Sequence, residues 1–374
     1  MNIKIYADNL EKSVAEQIEH IKQSKLFDFP KTVVRIMPDT HFGMGAVIGF
    51  TSKGNKILIP DFIGVDIGCG VLATEIKNFK PEFELIDKTI KETVPMGFTS
   101  HTDKNIIANY QNILDTTINS KKIISCLVPS ASQIGTLGGG NHFMSIEIVD
   151  GKTYFIVHSG SRNFGLKVCE FWQKQAEIDC AELIECGIIS KDLAYLKDKH
   201  RDGYINDMVI AQQYASLNRQ QIVSQVFTAL GWEQGEVIES VHNYFNQQDD
   251  IVRKGAIELK EDQKAIIPIN MRDGTFFVIG NNKGYDWNWS APHGAGRVMS
   301  RTEAKTKHDY HEYQEVMKDS GVYSSVINSS TLDEAPFCYK TGEHLKKWLE
   351  QRCKEIKQSK VVYNIKAQEE TKRR

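Results

Sequence analysis

The sequence predicts an α+β protein, a β-rich central body that carries a helical insertion at roughly 166–230. Three observations predict it. Short strand-like segments recur along the chain: NIKIY at 2–6, TVVRIM at 32–37, FMSIEIV at 143–149 and TFFVIG at 275–280. These runs of β-branched and aromatic residues suit a half-buried pleated surface. One long stretch, 166–230, is helical in pattern nearly throughout. Between strands lie glycine-dense turns, GVDIGCG at 64–70 and GTLGGGNH at 135–142, where a backbone can bend sharply and be approached closely. No internal repeat or low-complexity tract divides the chain, so 1–374 is expected to form one large domain.

The elements follow in order. Residues 9–27 place Leu10, Val14, Ile18, Ile21 and Leu26 at helical spacing. The strand at 32–37 runs into PDTHFGMG, where Asp39 and His41 flank a glycine-rich turn. Strands near 56–63 and 71–77 are expected to bracket GVDIGCG, the first from the apolar run NKILIPDFI. From 81 to 121 the pattern is helical, interrupted by the loop PMGFTSHTDKN. Asp150-Gly151 signals a hairpin between FMSIEIV and TYFIVHS. A two-residue turn there sets His142 opposite Ser159; a three-residue loop, with Gly151 in the left-handed conformation, sets His142 opposite His158. In the helical block a break is expected near DKHRDGYIND, 198–207. Strands return at EVIESVHNYF, AIIPI and TFFVIG. PHGAGR is expected to open a helix, RVMSRTEAKTKH, and GEHLKKWLEQRCKEI to form the last helix before the strand VVYNI. The tail QEETKRR is charged and expected to fray.

With 41% hydrophobic and 25% charged residues over 374 positions, the composition is that of a globular protein with room for a sizeable core. The formal net charge of -2 supplies no global basic field, so nucleic acid would need a local basic patch. Seven cysteines (69, 126, 169, 180, 186, 338, 353) form no CxxC pair, and their odd number argues against a disulfide framework. The start MNIKIYADNLEKS carries no long apolar segment, so no signal peptide is expected. No run reaches the ~18 apolar residues of a membrane-spanning helix, and the cytoplasm is the default compartment.

Six residues carry the chemistry: Asp66, Cys69, His142, His158, His242 and His293. Each histidine sits beside glycine, asparagine or serine at an expected strand end or loop. A lone histidine in such a place is more often a hydrogen-bonded loop residue. Together, one thiolate, one carboxylate and three imidazoles suffice for two metal ions with the sulfur as bridge. Paired metals suit phosphoryl and nucleotidyl transfer because they clamp the attacking and leaving oxygens. Ligand softness alone names zinc. His293, at the start of its expected helix, would face free backbone N–H groups that favour phosphate, and a neutral imidazole there is a nucleophile toward phosphorus. In the blander reading, Ser290 or His293 caps that helix.

The motifs PDTHFGMG, GVDIGCG, GTLGGGNHF, HSGSRNFG, VHNYF, RKGA, SAPHGAGR and DEAPFCYK, in that order, with NIKA near the end, resemble the RtcB family of RNA ligases across essentially the whole chain. The resemblance implies joining of an RNA 3′-phosphate or 2′,3′-cyclic phosphate to a 5′-hydroxyl, with GTP and two manganese(II) ions in place of zinc. It implies that Asp66, Cys69, His142, His158 and His242 are metal ligands, Cys69 bridging. It further implies that His293 takes up GMP, that Asn141 and Lys366 contact the nucleotide, and that Arg162 lies near the RNA phosphate. RNA repair or tRNA splicing is the implied setting, with an activating protein factor as a compatible partner.

The chain departs from the family pattern at several places. Ser145 stands where NHFxE has its glutamate, IPINMRDG (267–274) replaces IPGSMG, Asn163 replaces the glycine of HSGSRG, and Ala367 replaces the glycine after the terminal lysine. The metal set is intact while the nucleotide wall is altered, which marks a divergent branch. A carboxylate that accepts from guanine N–H groups would then come from elsewhere. Asp273 is the first candidate and Glu147 the second, with pairing of Asp273 to Arg272 or a nearby lysine as the plain alternative. Two other functions compete: a dinuclear-metal phosphodiesterase or phosphatase that opens cyclic phosphates without joining ends, and a non-catalytic RNA-binding protein.

Overall fold

The computed structural model describes residues 2–118, 122–125 and 127–368. The fold is α+β. The chain opens with β1 (Asn2–Ile5), α1 (Lys12–Gln23), β2 (Val33–His41), β3 (Ile48–Lys53) and β4 (Gly70–Ile76). Two helices follow, α2 (Phe83–Thr93) and α3 (Lys104–Thr117), and then the hairpin β5 (Phe143–Val149) and β6 (Lys152–Ser159). The helical block is α4 (Arg162–Asp179), α5 (Ala181–Glu185) and α6 (Asp198–Leu230). It is succeeded by β7 (Gln234–Val241), β8 (Asn243–Asn246), β9 (Ile251–Lys254), β10 (Ala256–Glu258), β11 (Lys264–Asn270), β12 (Gly274–Gly280) and β13 (Ser290–Pro292). The chain closes with α7 (Arg301–Lys307), α8 (Tyr310–Lys318), α9 (Gly342–Leu349), β14 (Cys353–Gln358) and β15 (Lys360–Lys366).

Two five-stranded sheets dominate, ordered β1-β2-β3-β9-β8 and β15-β5-β6-β4-β7. Smaller sheets pair β10 with β13 and order β11-β12-β14. In the second large sheet every neighbouring pair is antiparallel. The start of β5, the end of β6, the start of β4, the end of β7 and the end of β15 therefore lie at one edge. That edge carries Lys366, His142, His158, Cys69 and His242 in spatial order, each at or just beyond a strand end.

Helix α6 holds this edge up. Its first half (Tyr204, Met208, Ala211, Tyr214) joins the core shared with α1, α4 and the first sheet. Its second half (Ile222, Val223, Val226, Phe227) joins the core beneath the second sheet. Buried residues run round the whole helix, as a helix covered on several sides requires. The block at 166–230 is thus not laid on the outside of the body; it joins the two main cores.

The structure corrects four local expectations. Residues 56–63 form no strand. Leu58 makes an isolated bridge to Leu196, and Pro60–Phe62 form a 3-10 turn, since proline has no N–H for a ladder. The helical break lies at 186–197, and DKHRDGYIND is the opening of α6. No helix opens at His293; α7 begins only at Arg301, capped by Ser300, which accepts from Glu303 N at 3.1 Å. The last helix stops at Leu349, and CKEI belongs to strand β14. The helical pattern at 119–121, Cys126 and the tail at 369–374 lie outside the described residues. Among the described residues no helix is long and apolar enough to cross a membrane.

Candidate active site

The hairpin has the two-residue register, Val149 opposite Lys152 and Phe143 opposite His158, with both Asp150 and Gly151 at positive φ. The three-residue register is therefore not used, yet the two histidines still meet. His142 lies one residue before β5, beyond the last ladder pair, and the bend there swings its ring toward His158, with centroids 5.2 Å apart.

Cys69 Sγ lies 3.4 Å from both His142 Nε2 and His158 Nε2, and the three donor atoms fall within 4.8 Å of one another. Backbone carbonyls orient both rings: His142 Nδ1 lies 2.9 Å from Leu137 O, and His158 Nδ1 3.2 Å from Asn141 O. Nδ1 then carries the proton, and Nε2 presents a lone pair to the cluster. Asp66 Oδ2 is 3.0 Å from His142 Nε2. A carboxylate oxygen and an imidazole lone pair facing each other at that distance call for a proton or a cation between them. His242 completes the arc, its ring 5.3 Å from that of His158, and its backbone N donates to Cys69 O at 2.9 Å. His242 Nδ1 is buried with no hydrogen-bond partner among the described residues.

Electrostatics agree with an ion-binding role. Burial, reinforced by the Asp66 charge, pushes the Cys69 thiol well above its ordinary range. Burial and the neighbouring imidazoles push His158 and His242 well below theirs. Burial opposes the Asp66 carboxylate, but hydrogen bonding and charge from His142 outweigh it and hold the group below the usual range. The edge thus gathers soft and hard donors whose charge balance a divalent cation would complete. The residues fit the group that the donor chemistry asks for.

Two glycines and two α6 side chains make the packing possible. A Cβ at position 160 would sit 2.1 Å from Asp66 Oδ1, so the HSGSR turn can pass the carboxylate only as glycine, and Ser161 N then donates to that oxygen at 3.0 Å. A Cβ at Gly138 would strike Arg162 Nη1 and His142 Nδ1, at φ +90°. From α6, Arg219 donates to Gly68 O (2.9 Å) and Ser159 O (2.7 Å) and pairs with Glu239 (2.8 Å). Asn218 donates to Thr136 O, Ser159 Oγ and Gly160 O. Both side chains are wholly buried and tie the strand ends together. Nothing in the sequence of ASLNRQQ, with polar residues on either side of the pair, singles out Asn218 and Arg219.

His293 follows β13 instead of opening a helix, and Ser290 does not cap one: its hydroxyl donates to Asn288 O. Phosphate-favouring charge near His293 comes from side chains. The His293 ring lies 4.8 Å from that of His242. Its Nδ1 is 2.8 Å from Asp39 Oδ2, and its backbone N donates to the same oxygen at 3.2 Å. Asp39, fully buried, fixes the ring and leaves Nε2 as the free nitrogen. Burial lowers neighbouring His41 to about 4, so that ring is neutral.

A cavity of about 350 Å³ opens beside His293, lined among others by Asn141, Glu147, Arg297, Arg301, Glu334 and Lys366. Glu334 joins its cations: Lys366 Nζ and Arg301 Nη1 each lie 2.5 Å from its oxygens, and Arg297 Nη1 lies 3.3 Å away. Burial opposes its charge, but Lys366 and Arg301 outweigh it and hold Glu334 near 2. Asp273 is elsewhere occupied. Arg272 Nε lies 2.7 Å from one of its oxygens and Asn270 Nδ2 2.8 Å from the other, the surface pairing that was the plain alternative. Glu147 does line the cavity, accepting from Ser145 Oγ (2.6 Å) and Ser359 Oγ (2.5 Å), and burial pushes its carboxyl up. Asn364 Oδ1, on the same wall and 2% exposed, has no partner among the described residues. Asp39, Glu334, Arg297 and Asn364 sit in motifs visible in the sequence and Arg301 lies just after one, but only the fold shows that they share a site.

The family model described as tRNA-splicing ligase RtcB matches residues 21–367. The chain belongs to the RtcB family. Among its relatives is the RNA-splicing ligase RtcB of Escherichia coli K12, 30% identical over 346 residues, which cover 82% of this chain and 83% of that protein. The tRNA-splicing ligases RtcB of Nanoarchaeum equitans and Aeropyrum pernix are each 26% identical. They cover 90% and 82% of this chain, and 89% and 81% of their own lengths. The RtcB-family motifs therefore meet here as one site, the Cys69 cluster on one side and the Glu334 wall on the other, with His293 between them.

Proposed function

We propose that this RtcB-family chain, acting as one ligase domain over 1–374, joins RNA 3′-phosphate or 2′,3′-cyclic phosphate ends to 5′-hydroxyl ends in the cytoplasm, using GTP. The observation that carries the reading is His293: oriented by a buried aspartate, next to His242 of the cluster, and open to a cation-lined cavity. Asp66, Cys69, His142, His158 and His242 would hold two manganese(II) ions, which supply charge stabilisation at phosphoryl oxygens.

The rest is done by side chains. Asp39 holds the His293 ring so that Nε2 faces the α-phosphate of GTP, and Nε2 attacks while pyrophosphate leaves. Arg297, Arg301 and Lys366 present positive charge to the phosphates. GMP then passes from His293 to the RNA 3′-phosphate, whose activated end is attacked by the 5′-hydroxyl with release of GMP. Arg162, at the turn beside Gly138, meets the RNA phosphate, and Asn141 contacts the nucleotide. For the base, acceptors on Glu147 and Asn364 match the two N–H donor groups on the guanine edge. Asp273, first of the two sequence candidates, does not line this cavity. A metal-dependent phosphodiesterase would have no use for the Asp39–His293 pair, which favours the ligase.

The test is incubation with α-labelled GTP and manganese, followed by assay for an acid-labile, alkali-stable protein adduct and for joined RNA. Joined RNA with an adduct on His293 is the expected result. Opened cyclic phosphate with neither adduct nor joining would replace the ligase by the phosphodiesterase.

A further inference from the structure

Behind the Gly139-Gly140 turn lies a second cavity of about 740 Å³, whose lining includes Met96, Gly97, Phe98, Arg162 and Lys366. Lys366 also lines the cavity beside His293, so the two spaces share a wall. Phe98 is 88% exposed and stacks on no other ring among the described residues. Single exposed apolar side chains are ordinary on protein surfaces, so exposure alone carries nothing. This one is on a fixed turn. Gly97 N donates to Gly138 O (2.9 Å), Leu137 N to Pro95 O (2.9 Å), and Thr99 Oγ1 to Met96 O (2.6 Å). Arg162 Nη2 donates to Gly97 O (2.9 Å), and its Nε to Thr136 Oγ1 (3.1 Å). The guanidinium that reaches the Cys69 edge is therefore bonded to the residue preceding the exposed ring.

We propose that Phe98 is a stacking platform for the terminal nucleobase of the RNA strand that carries the reacting 3′-phosphate. This deepens the ligase reading and rests on it. Arg162 and Lys366 draw the terminal phosphate inward. The phosphate and base of one nucleotide are separated by little more than a sugar, and Phe98 is one residue from the carbonyl that Arg162 holds. A turn whose backbone is held in place before binding leaves only the side chain to be ordered on contact. Every base has a π-face, so such a platform accepts any terminal base, as end joining requires.

The experiment measures binding of a fluorescently labelled 3′-phosphorylated RNA oligonucleotide by anisotropy, in manganese without GTP. It uses the wild-type protein, Phe98→Ala and Phe98→Tyr, with a normal or an abasic terminal nucleotide. Phe98→Ala is expected to raise Kd about tenfold with the normal end, within the range of base–aromatic stacking. The abasic end should raise the wild-type Kd by a similar factor and add little in Phe98→Ala, and Phe98→Tyr should bind as wild type. Phe98→Ala should form the GTP adduct at the wild-type rate. Wild-type Kd in Phe98→Ala would overturn the proposal, as would an abasic penalty undiminished in that variant. Failure of the wild type to form a GTP adduct while the stacking pattern holds would count against the ligase reading instead.

Discussion

The Cys69 edge and the Glu334 wall meet at His293, and they balance charge in opposite ways. At the edge, a raised thiol, two depressed imidazoles and a His242 nitrogen without a partner among the described residues form a donor set that a cation would complete. At the wall, the buried carboxylate already holds Lys366 and Arg301 at 2.5 Å. One region presents donors suited to a cation; the other has its positive charges committed to an internal partner. A phosphate entering the cavity must compete with Glu334 for the same cations, so the wall presents positive charge without leaving it unpaired when the cavity is empty. The contrast is between donors that a bound cation would balance and a wall whose charges balance internally, where Asn364 Oδ1 alone of the groups named has no partner among the described residues.

The largest test of this contrast is Cys69→Ala. On the proposed reading Cys69 would be shared by two manganese ions, so the variant should lose both, as read by metal analysis, and all joining activity. Retention of two manganese ions would remove the bridge assignment. His293→Ala should abolish the GTP adduct while leaving metal content near wild type, separating the edge from the nucleophile. Asp39→Ala should slow adduct formation by about 100-fold, because the ring loses its orientation and its Nδ1 partner.

Next in size is Arg219→Met. The change strips donors from Gly68 O and Ser159 O and leaves Glu239 without its guanidinium. Glu239 is partly exposed and keeps Ser216 as a donor, so the main cost is the buried acceptors left unpaired, about 1–3 kcal/mol each. Urea unfolding should show the loss, and manganese affinity should fall with it, because the strand ends carrying Cys69 and His158 are no longer tied. Stability lost with manganese affinity kept would confine Arg219 to the core.

Smaller effects belong to the wall. Glu147→Ala should reduce preference for GTP over ATP in adduct formation by about tenfold, the size of one charged hydrogen bond. Asp273→Ala should leave that preference unchanged. The last prediction concerns pH. Glu334 is held near 2, below its ordinary 4.5, so the stabilisation from its cations is complete above pH 4.5 and is lost as pH falls toward 2. Urea midpoints between pH 6 and pH 3 should fall less steeply in Glu334→Gln than in the wild type. Identical slopes would mean that other carboxylates dominate acid unfolding.

Much of this was legible in the residues. Alternating and apolar runs located most strands, because a side-chain period of two survives any tertiary arrangement. Glycine-dense turns pointed to Cys69, His142 and His158, because close approach to a donor group leaves no room for a Cβ, as Gly160 and Gly138 show. The tertiary structure alone decided the rest. Strand order brought Lys366, His142, His158, Cys69 and His242 to one edge, and sheet order is a long-range property that no local period encodes. Of the two loops weighed, the two-residue count matches the register, yet it did not show that His142 and His158 meet, since His142 lies beyond the last ladder pair. Proline made NKILIPDFI a turn despite its apolar run. Asp39 found His293 across more than 250 residues, and Asn218 and Arg219 revealed their role only once α6 was seen to lie between two cores. Local sequence set which groups could bind and bend; packing between distant segments set which of them face one another.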